Sequence, residues 1–151
     1  MFKFIILLCS LCFFSYAQAF PCFMTIVKEN CWLNYTLNVD VIDADTGKSI
    51  MNVVVPQGTA WVRKPFTCQV GEVLSLNAVF DPVIWESQAD KVYAGKHYWG
   101  LPKEISKGQS GWNVTACFAK DFSEVPLPSD ASGGCKCDLK SIPLIEPIKT
   151  N

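Results

Sequence analysis

The side chains in this chain that could carry chemistry are a set of cysteines, one histidine, a short acidic turn and a group of aromatics. Cys9 and Cys12 fall within an apolar N-terminal run, which leaves Cys22, Cys31, Cys68, Cys117, Cys135 and Cys137. An even set of cysteines in an exported chain reads most simply as disulfides. Pairing Cys135 with Cys137 would strain the bridge across a single intervening residue, and the other connectivities stay open. Metal binding is the competing use, but Cys135-Lys136-Cys137 is tighter than the usual zinc pair. Among these six no Cys-x-x-Cys redox motif occurs either, the one such spacing, Cys9 to Cys12, lying in the apolar N-terminal run. His97 is the only histidine, and no Gly-x-Ser-x-Gly elbow offers it a nucleophile, so it reads as a strand or interface residue. Asp40, Asp43 and Asp45 alternate as calcium ligands can, but they lack a long ligand loop and a closing Glu, so a solvated hairpin tip is the better reading. No catalytic, metal-binding or cofactor-binding set is read from the sequence.

The aromatics Trp85, Tyr93, Tyr98 and Trp99 are the one constellation read as functional. They lie in a loop or in a strand without strict alternation, and exposed aromatics anchor protein interfaces or stack on sugars. The bland alternative is that most of them are core residues of a small aromatic-rich domain. Trp61 and Trp112 are assigned to the core.

The elements that would position these residues begin after a secretory signal. Lys3 gives a positive start, Phe4 to Phe14 an apolar run, and Ala17-Gln18-Ala19 a small-x-small site, so cleavage is expected after Ala19. Residues 20–140 are expected to form one domain and 141–151 an extended tail. The formal net charge of −1 and the lack of a basic patch disfavour nucleic acid and anionic membrane as partners. No later segment has the apolar length of a membrane span.

Along the chain, Met24 to Val27 reads as a short first strand in a lead-in. Tyr35 to Val41 alternates strictly and Ile50 to Val55 is β-branched, with Asp43-Ala44-Asp45-Thr46-Gly47-Lys48 as the turn of a hairpin around which the rest is organised. Thr59 to Cys68 is a strand with Pro65 inside it, hence a sheet edge or a crossing between sheets. Val73 to Phe80 alternates with Leu74, Leu76, Ala78 and Phe80 on the apolar face. Val92 to Trp99 reads as a strand without alternation, and Trp112, Val114, Ala116 and Phe118 form a core stripe. Cys117 falls on the opposite face, so its bridge should tie the strand to an overlying segment. The expected fold is an all-β antiparallel β-sandwich, loosely immunoglobulin-like or transthyretin-like, with disulfide-stapled terminal segments.

Cys31-Trp32, Trp61-x-Arg63, Phe66-x-Cys68, Tyr98-Trp99-x-Leu101-Pro102, Trp112-Asn113 and Cys135-Lys136-Cys137 together resemble the small periplasmic proteins associated with the Dot/Icm type IVB secretion system, the EirA/LirA-like family. The resemblance implies a non-enzymatic periplasmic protein that contacts other proteins, secretion-system subunits among them, and supports effector translocation and intracellular growth. It supplies no catalytic residues. The alternatives are a secreted carbohydrate-binding module using the same aromatics, or a small secreted enzyme or inhibitor. The glycosylation-type triplets Asn34-Tyr35-Thr36 and Asn113-Val114-Thr115 matter only in a eukaryotic setting.

Overall fold

The computed structural model describes residues 18–145. Nearly all of the expected signal peptide and the last part of the expected tail lie outside the described residues. The strands are β1 Ala19–Lys28, β2 Thr36–Asp43, β3 Ser49–Val55, β4 Trp61–Gln69, β5 Val73–Asp81, β6 Tyr93–Ala94, β7 Trp99–Gly100 and β8 Trp112–Phe118. Single 3-10 turns occupy Asn30–Trp32 and Glu86–Gln88. The strands form two sheets that pack face to face over one apolar core, so the chain is an all-β sandwich.

The five-stranded sheet, ordered β3-β2-β5-β6 with β7 also on β5, follows from local pattern. Leu37, Val39 and Val41 of β2 face the core, as do Leu74, Leu76, Ala78 and Phe80 of β5, and antiparallel pairing sets Leu37 opposite Phe80. The β2–β3 turn is built by Asp43, whose Oδ1 accepts from the backbone N–H of Asp45 at 2.8 Å and of Thr46 at 3.1 Å. Gly47 supplies the φ of +70° that the turn requires. These two backbone bonds hold the Asp43 carboxyl below its ordinary pKa. The strand expected over Val92–Trp99 is instead two two-residue strands, β6 and β7, separated by a loop. Beyond Gly95, whose N–H still bonds Leu76, the N–H of Lys96 turns away to Asp121, and this breaks the ladder.

The three-stranded sheet is ordered β4-β1-β8. Its centre is β1, not a lead-in with a short strand: ten residues run through the middle of the sheet. The alternation of Phe20, Cys22, Met24 and Ile26 is masked in the sequence because Thr25 and Val27 of the opposite face are buried too, as a central strand covered on both faces demands. β4 pairs antiparallel with β1, and Pro65 lies on its edge as expected. The β1–β8 pair is parallel, with Cys22 beside Trp112 and Lys28 beside Phe118, so one pair departs from the antiparallel expectation. A parallel pair needs a long crossover, and here the whole other sheet intervenes.

Trp32, in the turn after β1, centres the aromatic core, with ring centroids 4.7 Å from Phe80, 4.9 Å from Phe118 and 5.1 Å from Tyr35. Trp112 is buried against Phe20. Trp61, assigned to the core from sequence, is only half-buried, with the Arg63 guanidinium 5.7 Å from its ring. All six cysteines are bridged: Cys22–Cys68 joins β1 to β4 in the core, Cys31–Cys135 anchors the segment after β8 to the Asn30–Trp32 turn, and Cys117–Cys137 anchors it to β8. Between the last two bridges Lys136 exchanges two hydrogen bonds with Asn30, its C=O accepting from the Asn30 N–H and its N–H donating to Asn30 Oδ1. Three disulfides fit an oxidising, exported setting. No helix among the described residues is long and apolar enough to cross a membrane.

Candidate functional site

A sandwich must manage its sheet edges, and this one covers most of them. The β3 and β4 edges lie against each other, bridged by Lys64 Nζ donating to the Asn52 carbonyl at 2.9 Å, and Pro65 offers no N–H there. β6 and β7 are too short to template a strand. Among the described residues the outer edge of β8 is the long one left open, because β8 pairs there only with β1.

Which groups face that edge follows from two contacts. The N–H of Cys117 donates to Asp121 Oδ2 at 2.7 Å, and its carbonyl accepts from the Asp121 N–H, so Cys117 points its backbone off the sheet. Backbone direction alternates along a strand, so Thr115 and Asn113 point the same way. The Thr115 carbonyl accepts from the Trp99 indole Nε1 at 3.3 Å. Among the described residues the Thr115 N–H and both backbone groups of Asn113 have no hydrogen-bond partner and remain for an incoming strand.

Alongside this edge runs a cleft of about 500 Å³ between β8 and the segment from His97 to Pro102. Its wall is placed by Gly95: a Cβ there would come within 2.8 Å of Trp99 Cζ3, so only glycine lets the indole lie this close to the chain. The His97 ring packs on Trp99 with ring centroids 4.0 Å apart. Tyr98 projects from the loop between them and is 69% exposed.

The four aromatics expected to act together are not one patch. Tyr93 is a core residue, 2% exposed and stacked on Phe80 at 5.3 Å, because β6 sets it opposite Ala78 on the inward face of β5. Burial raises its hydroxyl pKa. Trp85 is 59% exposed, but it follows Asp81 at the far end of β5, whereas Trp99 pairs with Leu74 at the near end. Roughly 23 Å of strand separates the two ends. Only Tyr98 and Trp99 share the cleft, with exposed His97 beside them.

Two polar features escaped sequence reasoning. Lys28 is 2% exposed, and its Nζ donates to the carbonyls of Tyr35 at 2.7 Å and Pro56 at 2.8 Å. It thereby ties the end of β1 to both ends of the β2–β3 hairpin, and burial lowers its pKa to about 8. The second is a hydrogen-bonded row across the outer face of the three-stranded sheet. Arg63 Nε donates to Thr25 Oγ1 at 3.0 Å, Thr25 Oγ1 to Asn113 Oδ1 at 2.9 Å, and Asn113 Nδ2 to Thr115 Oγ1 at 3.0 Å. A polar pair inside the apolar run of β1, Thr25 and Lys28, was the only available signal for either feature. No protein-family model matches the chain, and no curated protein is significantly similar to it in sequence.

Proposed function

We propose that this protein is a non-enzymatic exported module that binds an extended segment of a protein partner along the open edge of β8. The observation that carries the reading is the unpaired edge at Asn113 and Thr115 lying beside the Tyr98–Trp99 cleft. Strand addition supplies affinity through the backbone, and a flanking aromatic cleft supplies side-chain selectivity. The Ala17-Gln18-Ala19 site and the three disulfides support export, with the periplasm as the compartment. The resemblance to Dot/Icm-associated periplasmic proteins supports a secretion-apparatus subunit as the partner. A sugar platform, in contrast, needs an open ring face, and the half-buried Trp99 carries the His97 ring against it at 4.0 Å between centroids.

A photo-crosslinking amino acid placed at Tyr98, and separately at Trp85, in the source cell's periplasm tests this reading. Protein adducts from position 98 that are absent from position 85 are expected. Adducts from neither position, or from position 85 alone, would overturn the docking site; adducts containing no secretion-system subunit would overturn the proposed partner.

A further inference from the structure

The outer face of the three-stranded sheet carries a second cleft, of about 340 Å³, roofed by the segment from Leu139 to Ile145. Among its lining residues Arg63 is the one charged side chain, and no carboxylate lines it. A guanidinium has five N–H donors. Arg63 uses Nε on Thr25, and among the described residues its other donors have neither a hydrogen-bond acceptor nor an ion-pair partner. The group is also held in place. Thr25 is fully buried and gives its proton to Asn113, so it must accept from Arg63, and Trp61 lies beneath the guanidinium.

A fixed, half-buried cation that has no counter-charge among the described residues favours an anion, and the planar fork suits a two-oxygen acceptor. The rest of the cleft decides which anion. Ser110 and Thr115 add hydroxyls, while Leu139, Ile142 and Ile145 supply the apolar surface, Leu144 pointing out to solvent. A phosphate would meet one cation and a hydrocarbon roof. A carboxylate on an apolar body matches both halves, and the volume lies at the small end of ligand sites.

We propose that this cleft binds a carboxylate carried on a short apolar body, its oxygens on the free donors of Arg63 and its carbons against Leu139 and Ile142. The cleft shares Gly111 and, from β8, Asn113 and Thr115 with the cleft beside the open edge, but its anion would sit on Arg63 of β4, so the inference does not rest on the partner reading. A free alkanoic acid and the C-terminal carboxylate of a peptide share this chemistry. Arg63 could instead serve only to satisfy Thr25 and brace the roof, and the test separates that role from binding.

The test is calorimetric titration of the full exported chain at low ionic strength with hexanoate and its neutral isostere hexanamide, and with acetyl-Ala-Ala-Leu as free acid and as amide. Each acid that binds is expected to do so at least about tenfold more tightly than its amide, since a charge-assisted pair is at stake. Arg63→Gln should erase that difference, and Arg63→Lys, which keeps the charge but not the fork, should recover part of it. Tighter binding of the peptide acid assigns the ligand to a protein C-terminus, and tighter binding of hexanoate assigns it to a free acid. Acid and amide binding equally, no binding of either acid, or full acid binding by Arg63→Gln would each overturn the site. If Arg63→Gln fails to fold, the acid–amide comparison on the wild-type chain decides alone.

Discussion

The two sheets of this sandwich carry polar outer faces of different kinds. On the five-stranded sheet, Asn52 donates to Asn38 and Ser49 to Asp40, pairs between neighbouring strands of one hairpin. They are local, solvated and self-sufficient. On the three-stranded sheet the row from Arg63 through Thr25 to Asn113 joins β4, β1 and β8, with partners 38 and 88 residues apart in the chain. There, among the described residues, a cation is left with free donors, a cleft forms on the face, and one edge stays open. Contacts that close locally leave nothing for a ligand to complete, whereas the long-range sheet retains unfilled donors at a fixed geometry.

If that contrast is right, the three-stranded sheet depends most on its long-range ties. Replacing Cys22 and Cys68 with alanine opens a loop spanning 46 residues and should lower stability by about 4 kcal/mol in urea denaturation. A loss no larger than that of a hairpin-turn variant would break the comparison. Lys28→Met comes next. It strands the Tyr35 and Pro56 carbonyls and should cost about 2 kcal/mol at pH 7. Its pH dependence sharpens the point. The folded pKa is about 8 against 10.5 for the free side chain, so between those values the unfolded chain holds more protons and folding gains stability as pH rises. The advantage of wild type over Lys28→Met should therefore widen from pH 8 to pH 10, and a constant or shrinking gap would contradict the burial of a charged Lys28.

Gly95→Ala should cost about 1 kcal/mol by pushing Trp99 off the chain, with a red shift in tryptophan fluorescence as the indole meets water. The smallest effect belongs to the local sheet. The depressed pKa of Asp43 means its contribution is present above pH 3.8 and lost as pH falls through the folded value. Asp43→Asn should be slightly less stable than wild type at neutral pH and indistinguishable from it once the carboxyl is protonated, which flattens the acid limb of the stability curve.

The same division explains what could be read from the sequence. The hairpin of β2 and β3 and the stripe of β5 were legible because alternation and the Asp43–Gly47 turn are local signals. β8 showed its stripe, and Pro65 marked the edge. The central place of β1 was hidden by burial on both faces, and its parallel pairing with β8 leaves no local trace. Trp32 was missed as the core's centre because it sits in a turn, whereas Trp61 misled because it alternates into a strand whose outer face is half covered by Arg63. The aromatic group was half legible. Sequence proximity placed Tyr93 and Trp85 near Trp99, but β5 carries them to different depths and different ends. The Arg63 row required the registers of three distant strands, which composition and spacing do not encode.

The central claim is that the edge of β8 docks a partner strand, and Thr115→Pro tests it most directly. Proline removes the one Thr115 donor that faces the open edge, and it is tolerated where a strand's N–H points away from its sheet. The account predicts that Thr115→Pro keeps a cooperative melting transition within a few degrees of wild type while losing the protein adducts captured at Tyr98. Full capture by a folded Thr115→Pro would show that the partner does not pair with β8, and the docking account would fall.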